Sequence, residues 1–157
     1  MHVRLIAVGD RQPAWVVAAF SDYSGRLPRQ WRFRVDEIAT AQRTKSGGDA
    51  ARNAEGGKLL GRLKAGEFVV LLDEKGRQFT SRTLAGHLDG WLAAGRDLAF
   101  VIGGPDGVSA NVRERADLTW SLSKLTLPHG LARVLFAEQI YRAWSMTTGH
   151  PYHRDCS

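Results

Sequence analysis

The chain has 157 residues, 43% of them apolar and 24% charged, which are ordinary values for one folded domain spanning 1–157 and exclude intrinsic disorder. Lys and Arg number 22 against 16 Asp and Glu, a formal net charge of +6 with a pI of about 10.0, and this excess favours a polyanionic partner such as nucleic acid. Cys156 is the single cysteine, no apolar run reaches the roughly 18 residues of a membrane span, and MHVRLIAVGD carries no secretory signal, so a cytoplasmic protein without disulfides is expected.

In chain order, HVRLIAV at 2–8 predicts a strand and 12–25 a helix. WRFRVDEI at 31–38 alternates, with Arg32 and Arg34 opposed to Phe33 and Val35, and this predicts an edge or half-exposed strand. The polar, glycine-bearing segment 39–51, with Arg43 and Lys45, reads as a flexible basic loop. A helix over 49–65 follows, then FVVLL at 68–72, a helix over 81–94 and LAFVI at 98–102. FVVLL and LAFVI are apolar without interruption, as in strands covered on both faces. A short helix after Ser109 and a shorter strand near 118–122 complete an alternation that predicts an α/β fold with a mostly parallel sheet. The last helix, 129–147, starts at or just after Pro128, where proline fits the first turn. Its apolar residues Leu131, Val134, Leu135, Phe136, Ile140, Ala143 and Trp144 nearly encircle it, so it needs cover on most sides, and a partner subunit is one expected source.

Three strand-end loops are candidates for a ligand site. GGPDG at 103–107 follows LAFVI directly, and glycines at the carboxyl end of a buried parallel strand let a ligand approach the backbone; a plain Pro-Asp-Gly turn is the alternative. The loop is neither GxGxxG nor a phosphate-binding Walker loop. LLDEKG at 71–76 ends the preceding strand at the same sheet edge and presents Leu72 and Asp73, the latter a ribose ligand, a base or a turn cap. SLSKLTLPHG at 121–130 is the third such edge. The histidines, with His150 and His153 three apart and His87 and His129 elsewhere, do not make a zinc set, and no metal is expected. HPYHRDCS at 150–157 instead offers an arginine for phosphate, a tyrosine to stack on a base and a histidine to move a proton, with Arg142 on the helix before it.

The motifs taken together carry a resemblance. Val8, Gly9 and Trp15 near the start, Glu55-Gly56, Leu72-Asp73 with Gly76, IGGPDG, WSLSKLTLPH, ARVLFAEQIYRAWS and HPYHR stand in the order and spacing of one group. The chain resembles the RlmH family, SPOUT-superfamily methyltransferases of large-subunit ribosomal RNA, over essentially its whole length and most strongly from Gly103 to Arg154. Residues 39–53 match only loosely, and Asp155, Cys156 and Ser157 extend the tail. The resemblance implies an α/β domain whose C-terminal part is threaded into a trefoil knot, an exception to the rule against threading. It implies a homodimer that binds S-adenosylmethionine at Leu72, Gly103, Leu122, Ser123, Lys124, Leu125, Thr126 and Leu127, with no metal. The implied product is N3-methylpseudouridine in 23S rRNA, made on the assembled ribosome. His153 and Arg154 are the residues expected to remove the N3 proton and stabilise the anion, Tyr152 to stack on the base, and Arg142 to hold phosphate or tail. The rivals are a non-catalytic RNA-binding knotted dimer, a methyltransferase for a different RNA base, and a nucleotide-binding α/β protein such as a small phosphotransferase.

Overall fold

The computed structural model describes residues 1–43 and 48–152. Five parallel strands form one sheet in the order β2-β1-β4-β3-β5: β1 Val3–Val8, β2 Arg34–Ile38, β3 Phe68–Gln78, β4 Leu98–Ile102 and β5 Leu118–Ser121. The helices are α1 Ala14–Ser24, α2 Asp49–Arg62, α3 Ser81–Ala94, α4 Ala110–Arg115 and α5 His129–Thr148.

Side-chain alternation divides the core between the two faces of this sheet. Val3, Leu5 and Ala7 of β1, Val70 and Leu72 of β3, and Leu98, Phe100 and Ile102 of β4 point to the face that carries Leu84 and Leu88 of α3 and Phe136 and Ile140 of α5. The intervening residues Ile6, Val8, Val69, Leu71, Ala99 and Val101 meet Leu59 of α2 and Val112 of α4. Both faces are covered, which is why these strands read as unbroken apolar runs. The exception is Arg4, buried in β1, which holds Glu67 through two nitrogens at 2.9 and 2.6 Å and Asp36 at 2.7 Å. Phe136, fully buried and with its ring centroid 4.9 Å from that of Phe100, fastens α5 to the sheet; burial of such a side chain contributes roughly 1.5–3 kcal/mol.

Three elements differ from expectation. β2 is an edge strand as predicted, but it starts only at Arg34, because 29–31 form a 3-10 turn that buries Trp31 and ends at Arg32 with φ of 47°. α2 stops at Arg62, where Leu63 turns extended with ψ of 141°. β3 does not end at Leu72: it continues to Gln78 through a register shift, so that Leu72 and Arg77 both pair with Trp120. Gly76 makes the shift possible, since a Cβ there would lie 2.7 Å from the backbone carbonyl carbon of Thr119.

α5 begins with Pro128 as its cap residue and ends at Gly149, whose φ of 72° is in the left-handed region. Its encircling apolar pattern is answered largely within the chain, because α1 and α3 flank it on the sheet. Among the described residues, no helix is long and apolar enough to cross a membrane.

Candidate functional site

Leu72 to Glu74 at the register shift of β3, the carboxyl ends of β4 and β5, and the first turn of α5 enclose a cleft of about 450 Å³. The three loops selected from sequence converge on it: Leu72 to Glu74, Gly103 to Val108, and the segment from Leu122 to His129.

Each wall is fixed by local chemistry. In the second, Gly107 N–H donates to Gly104 O at 3.0 Å and Gly107 adopts φ of 79°, so the Pro-Asp-Gly stretch is indeed a turn, and the turn is itself the cleft wall. Gly103 admits no side chain, because a Cβ would sit 2.5 Å from Val108 Cγ1 and 3.0 Å from Gly107 O. In the third wall, Ser121 Oγ donates to Ser123 O at 2.8 Å and Leu125 N–H to Ser123 Oγ at 2.9 Å, which curls the loop on itself. Thr126 Oγ1 then donates to Glu74 Oε2 at 2.9 Å and joins this loop to the register shift of β3. Asp73 behaves as a turn cap: one oxygen accepts from Lys75 N–H at 2.9 Å and the other from Arg113 at 2.8 Å.

Of the residues expected to hold a cofactor, Leu72, Gly103, Leu122, Ser123, Leu125, Thr126 and Leu127 all line the cleft, while Lys124 is exposed and is not among the lining residues. Leu125, an apolar side chain lining the cleft at its rim, leaves 74% of its surface uncovered by the described residues.

His129 is a lining residue that the sequence reading considered only as a metal ligand. Burial lowers its pKa to about 4, helped by the Arg133 guanidinium, against a hydrogen bond to the Gly103 backbone. The buried Arg133 donates from Nε to His129 Nε2 at 3.3 Å, from Nη1 to Glu37 at 2.8 Å and from Nη2 to Gly9 O. His129 is therefore neutral near pH 7, its proton is on Nδ1, and Nε2 is occupied, so it cannot act as a general base without breaking this network. The signal for it was present in the LPH spelling at the start of an apolar helix, but nothing local said which way the ring would face.

The expected tail residues separate into two groups. Arg142 and Tyr152 are brought together: both donate to Glu138 Oε1, Tyr152 OH from 3.0 Å, and Arg142 lies 5.0 Å from the centre of the Tyr152 ring. That ring also packs on Tyr141 at 4.6 Å, and burial with the Glu138 bond raises the phenol pKa far above its ordinary value. His153 and Arg154 lie outside the described residues. In the segment read as a basic loop, Arg43 is tied down by ion pairs to Glu55 and Asp106, and Lys45 is outside the described residues.

A parallel sheet with a ligand-sized cleft at its carboxyl edge, walled by a glycine turn and a leucine-rich loop, defines an α/β protein with a small-molecule site at the ends of its strands. The family model described as "Predicted SPOUT methyltransferase" matches residues 1–153, and the chain belongs to this SPOUT methyltransferase family. It is 51% identical to a protein of Thioalkalivibrio sulfidiphilus (strain HL-EbGR7), over 99% of this chain and 100% of that one. It is 48% identical to one of Laribacter hongkongensis (strain HLHK9) and 44% to one of Hydrogenovibrio crunogenus (strain DSM 25203 / XCL-2), in both cases over 99% of this chain and 100% of the relative. All three relatives are called "Ribosomal RNA large subunit methyltransferase H".

Proposed function

We propose that this enzyme transfers a methyl group from S-adenosylmethionine to N3 of a pseudouridine in 23S rRNA, on the assembled ribosome and in the cytoplasm. The chain works in this reading as one domain, 1–157, knotted in its C-terminal part and paired as a homodimer.

One observation carries the choice of donor. The cleft is lined by the carboxylates Asp73 and Glu74 and by a neutral His129, and among the described residues that line it there is no Lys or Arg. A triphosphate needs cations or a nest of amides at a helix start, so this lining disfavours ATP and with it the phosphotransferase alternative. It suits a sulfonium, which brings positive charge and no phosphate. The residues present fit the group: Gly103 and Gly104 line the cleft with backbone that an adenine edge can pair with, and Leu72, Leu122, Leu125 and Leu127 are apolar cover for its faces. When bound, S-adenosylmethionine supplies a methyl group activated by its positive sulfur.

The protein's own part is positioning and proton handling. Transfer forms the N3–CH₃ bond as the S–CH₃ bond breaks, and the N3 proton leaves to a base. His153 is assigned as that base, Arg154 as the cation beside the developing anion, and Tyr152 as the base-stacking ring, with Arg142 holding the tail in place.

The dimer supports the same chemistry. Tyr152 is fastened at Glu138, nine residues along α5 from His129 and hence about 14 Å from the cleft along the helix axis. In the proposed dimer each chain's residues beyond Tyr152 serve the other copy's cleft. The exposed Trp15 and Val17 on α1, 57% and 53% uncovered, are the apolar surface expected to meet the second copy.

The net charge of +6 and the names of the relatives support ribosomal RNA as substrate. Nucleoside mass spectrometry of 23S rRNA from a strain lacking the protein tests the assignment: N3-methylpseudouridine disappears and returns with the gene. Retention of that nucleoside, or loss of a different methylated one, would refute the substrate assignment.

A further inference from the structure

Glu55 is a carboxylate only 1% exposed, on the sheet-facing side of α2. A buried carboxylate is weak evidence for stability, because desolvation opposes the gain from pairing, so what it holds becomes the question. It holds the 39–43 segment: Glu55 accepts from Ala41 N–H at 2.9 Å and from Arg43 through both terminal nitrogens, one at 3.0 Å. Arg43 reaches onward with Nε to Asp106 Oδ2 at 3.0 Å, in the turn that walls the cleft. The same turn leans on Glu55 directly, since a Cβ at Gly104 would lie 2.6 Å from Glu55 Oε1. Behind it Gly48, at the start of α2, passes so close to Asp106 that a Cβ would lie 2.0 Å from Oδ2. One guanidinium thus spans two carboxylates and joins three segments, and only an arginine fork can do so.

We propose that Arg43 and Glu55 are positioning residues for the methyl donor: their ion pair, extended to Asp106, clamps the 39–43 segment onto the Gly104–Gly107 turn and fixes the glycine wall of the cleft. This rests on the donor-cleft reading above. Arg43 and Glu55 do not line the cleft, so they act through the turn.

Arg43→Lys keeps a cation beside Glu55, whereas Arg43→Ala leaves that buried carboxylate with the Ala41 N–H alone, so a thermal melt of each variant establishes first that it is folded. Three readouts are compared with wild type: calorimetric affinity for S-adenosylhomocysteine, amide hydrogen exchange at Gly104–Gly107, and kcat against donor KM. Arg43→Ala weakens affinity on the order of tenfold, speeds exchange of the Gly107 amide and raises donor KM with kcat little changed; Arg43→Lys, which keeps the charge but pairs with one carboxylate at a time, recovers part of each. A lower melting temperature with unchanged affinity and exchange makes the pair merely structural and overturns the proposal. Glu55→Gln provides the second variant, keeping the shape of the acceptor while removing its charge, and predicts the same KM effect. If wild type itself fails to bind S-adenosylhomocysteine, the donor reading falls and the positioning role falls with it, whereas unchanged exchange in Arg43→Ala defeats the clamp alone.

Discussion

His129 shows how far a single residue can be from what its spelling suggests. A histidine beside a ligand cleft invites the role of proton acceptor, yet its neighbours remove that role: Arg133 occupies Nε2 and burial holds the ring neutral. The consequence is measurable as pH-dependent stability. Its folded pKa, about 4, lies below the ordinary value of 6.5, so between those two pH values the unfolded chain takes a proton that the native chain refuses. The stability contributed by the neutral ring is present above pH 6.5 and is lost as pH falls towards 4. Urea unfolding of wild type and His129→Gln across that range is expected to show a steeper loss in wild type, the two curves diverging by at most about 3 kcal/mol between pH 6.5 and 4. Parallel curves would show that the ring is solvated. Sequence supplied Arg142 and Tyr152 as candidate partners but not Glu138, the carboxylate that receives both. The pairing of positions 138 and 142 is a helix spacing and legible; the return of residue 152 onto them depends on how Gly149 turns the chain.

At the scale of elements, alternating strand and helix patterns were readable because both faces of the sheet are buried and the strands are short apolar runs. The continuation of β3 to Gln78 was not, since DEKGRQ has no strand-like apolar signal and its pairing with Trp120 and Ser121 lies about forty residues away. Gly76 marks it only in hindsight, through the closeness of Thr119. Two glycines make the distinction testable. Gly76→Ala is expected to destabilise by about 1–3 kcal/mol through overpacking against β5. Gly57→Ala, inside α2 with nothing within 4 Å of the new methyl, is expected to stabilise by about 0.5–1 kcal/mol. Equal effects at the two positions in thermal denaturation would contradict the close approach at Gly76. The same element scale explains the cleft: three loops meet because β3, β4 and β5 are parallel neighbours, and no loop sequence alone reports that neighbourhood.

The whole molecule leaves apolar surface on α1 that the described residues do not cover, Trp15 and Val17, and fastens Tyr152 at Glu138, along α5 from the cleft of its own chain. Both features fit a second copy. Sedimentation is expected to give a dimer for wild type and a shift towards monomer for the Trp15→Glu, Val17→Glu pair, because two charges in an apolar contact are left desolvated. A wild-type monomer would remove the partner's tail from the mechanism, and a dimer untouched by these changes would move the contact to another face. Sequence foresaw the need for cover around α5, but α1 and α3 supply much of it, and the uncovered remainder on α1 became visible only once the helices were packed.

The central claim is that this cleft serves methyl transfer to ribosomal RNA. Incubating the purified protein with S-adenosylmethionine carrying a tritiated methyl group and with ribosomes from a strain lacking the protein tests it directly. The account predicts tritium in 23S rRNA, recovered as N3-methylpseudouridine and approaching one methyl per ribosome. Ribosomes that stay unlabelled, although they lack the modification and the protein is folded and has bound the donor, would contradict it.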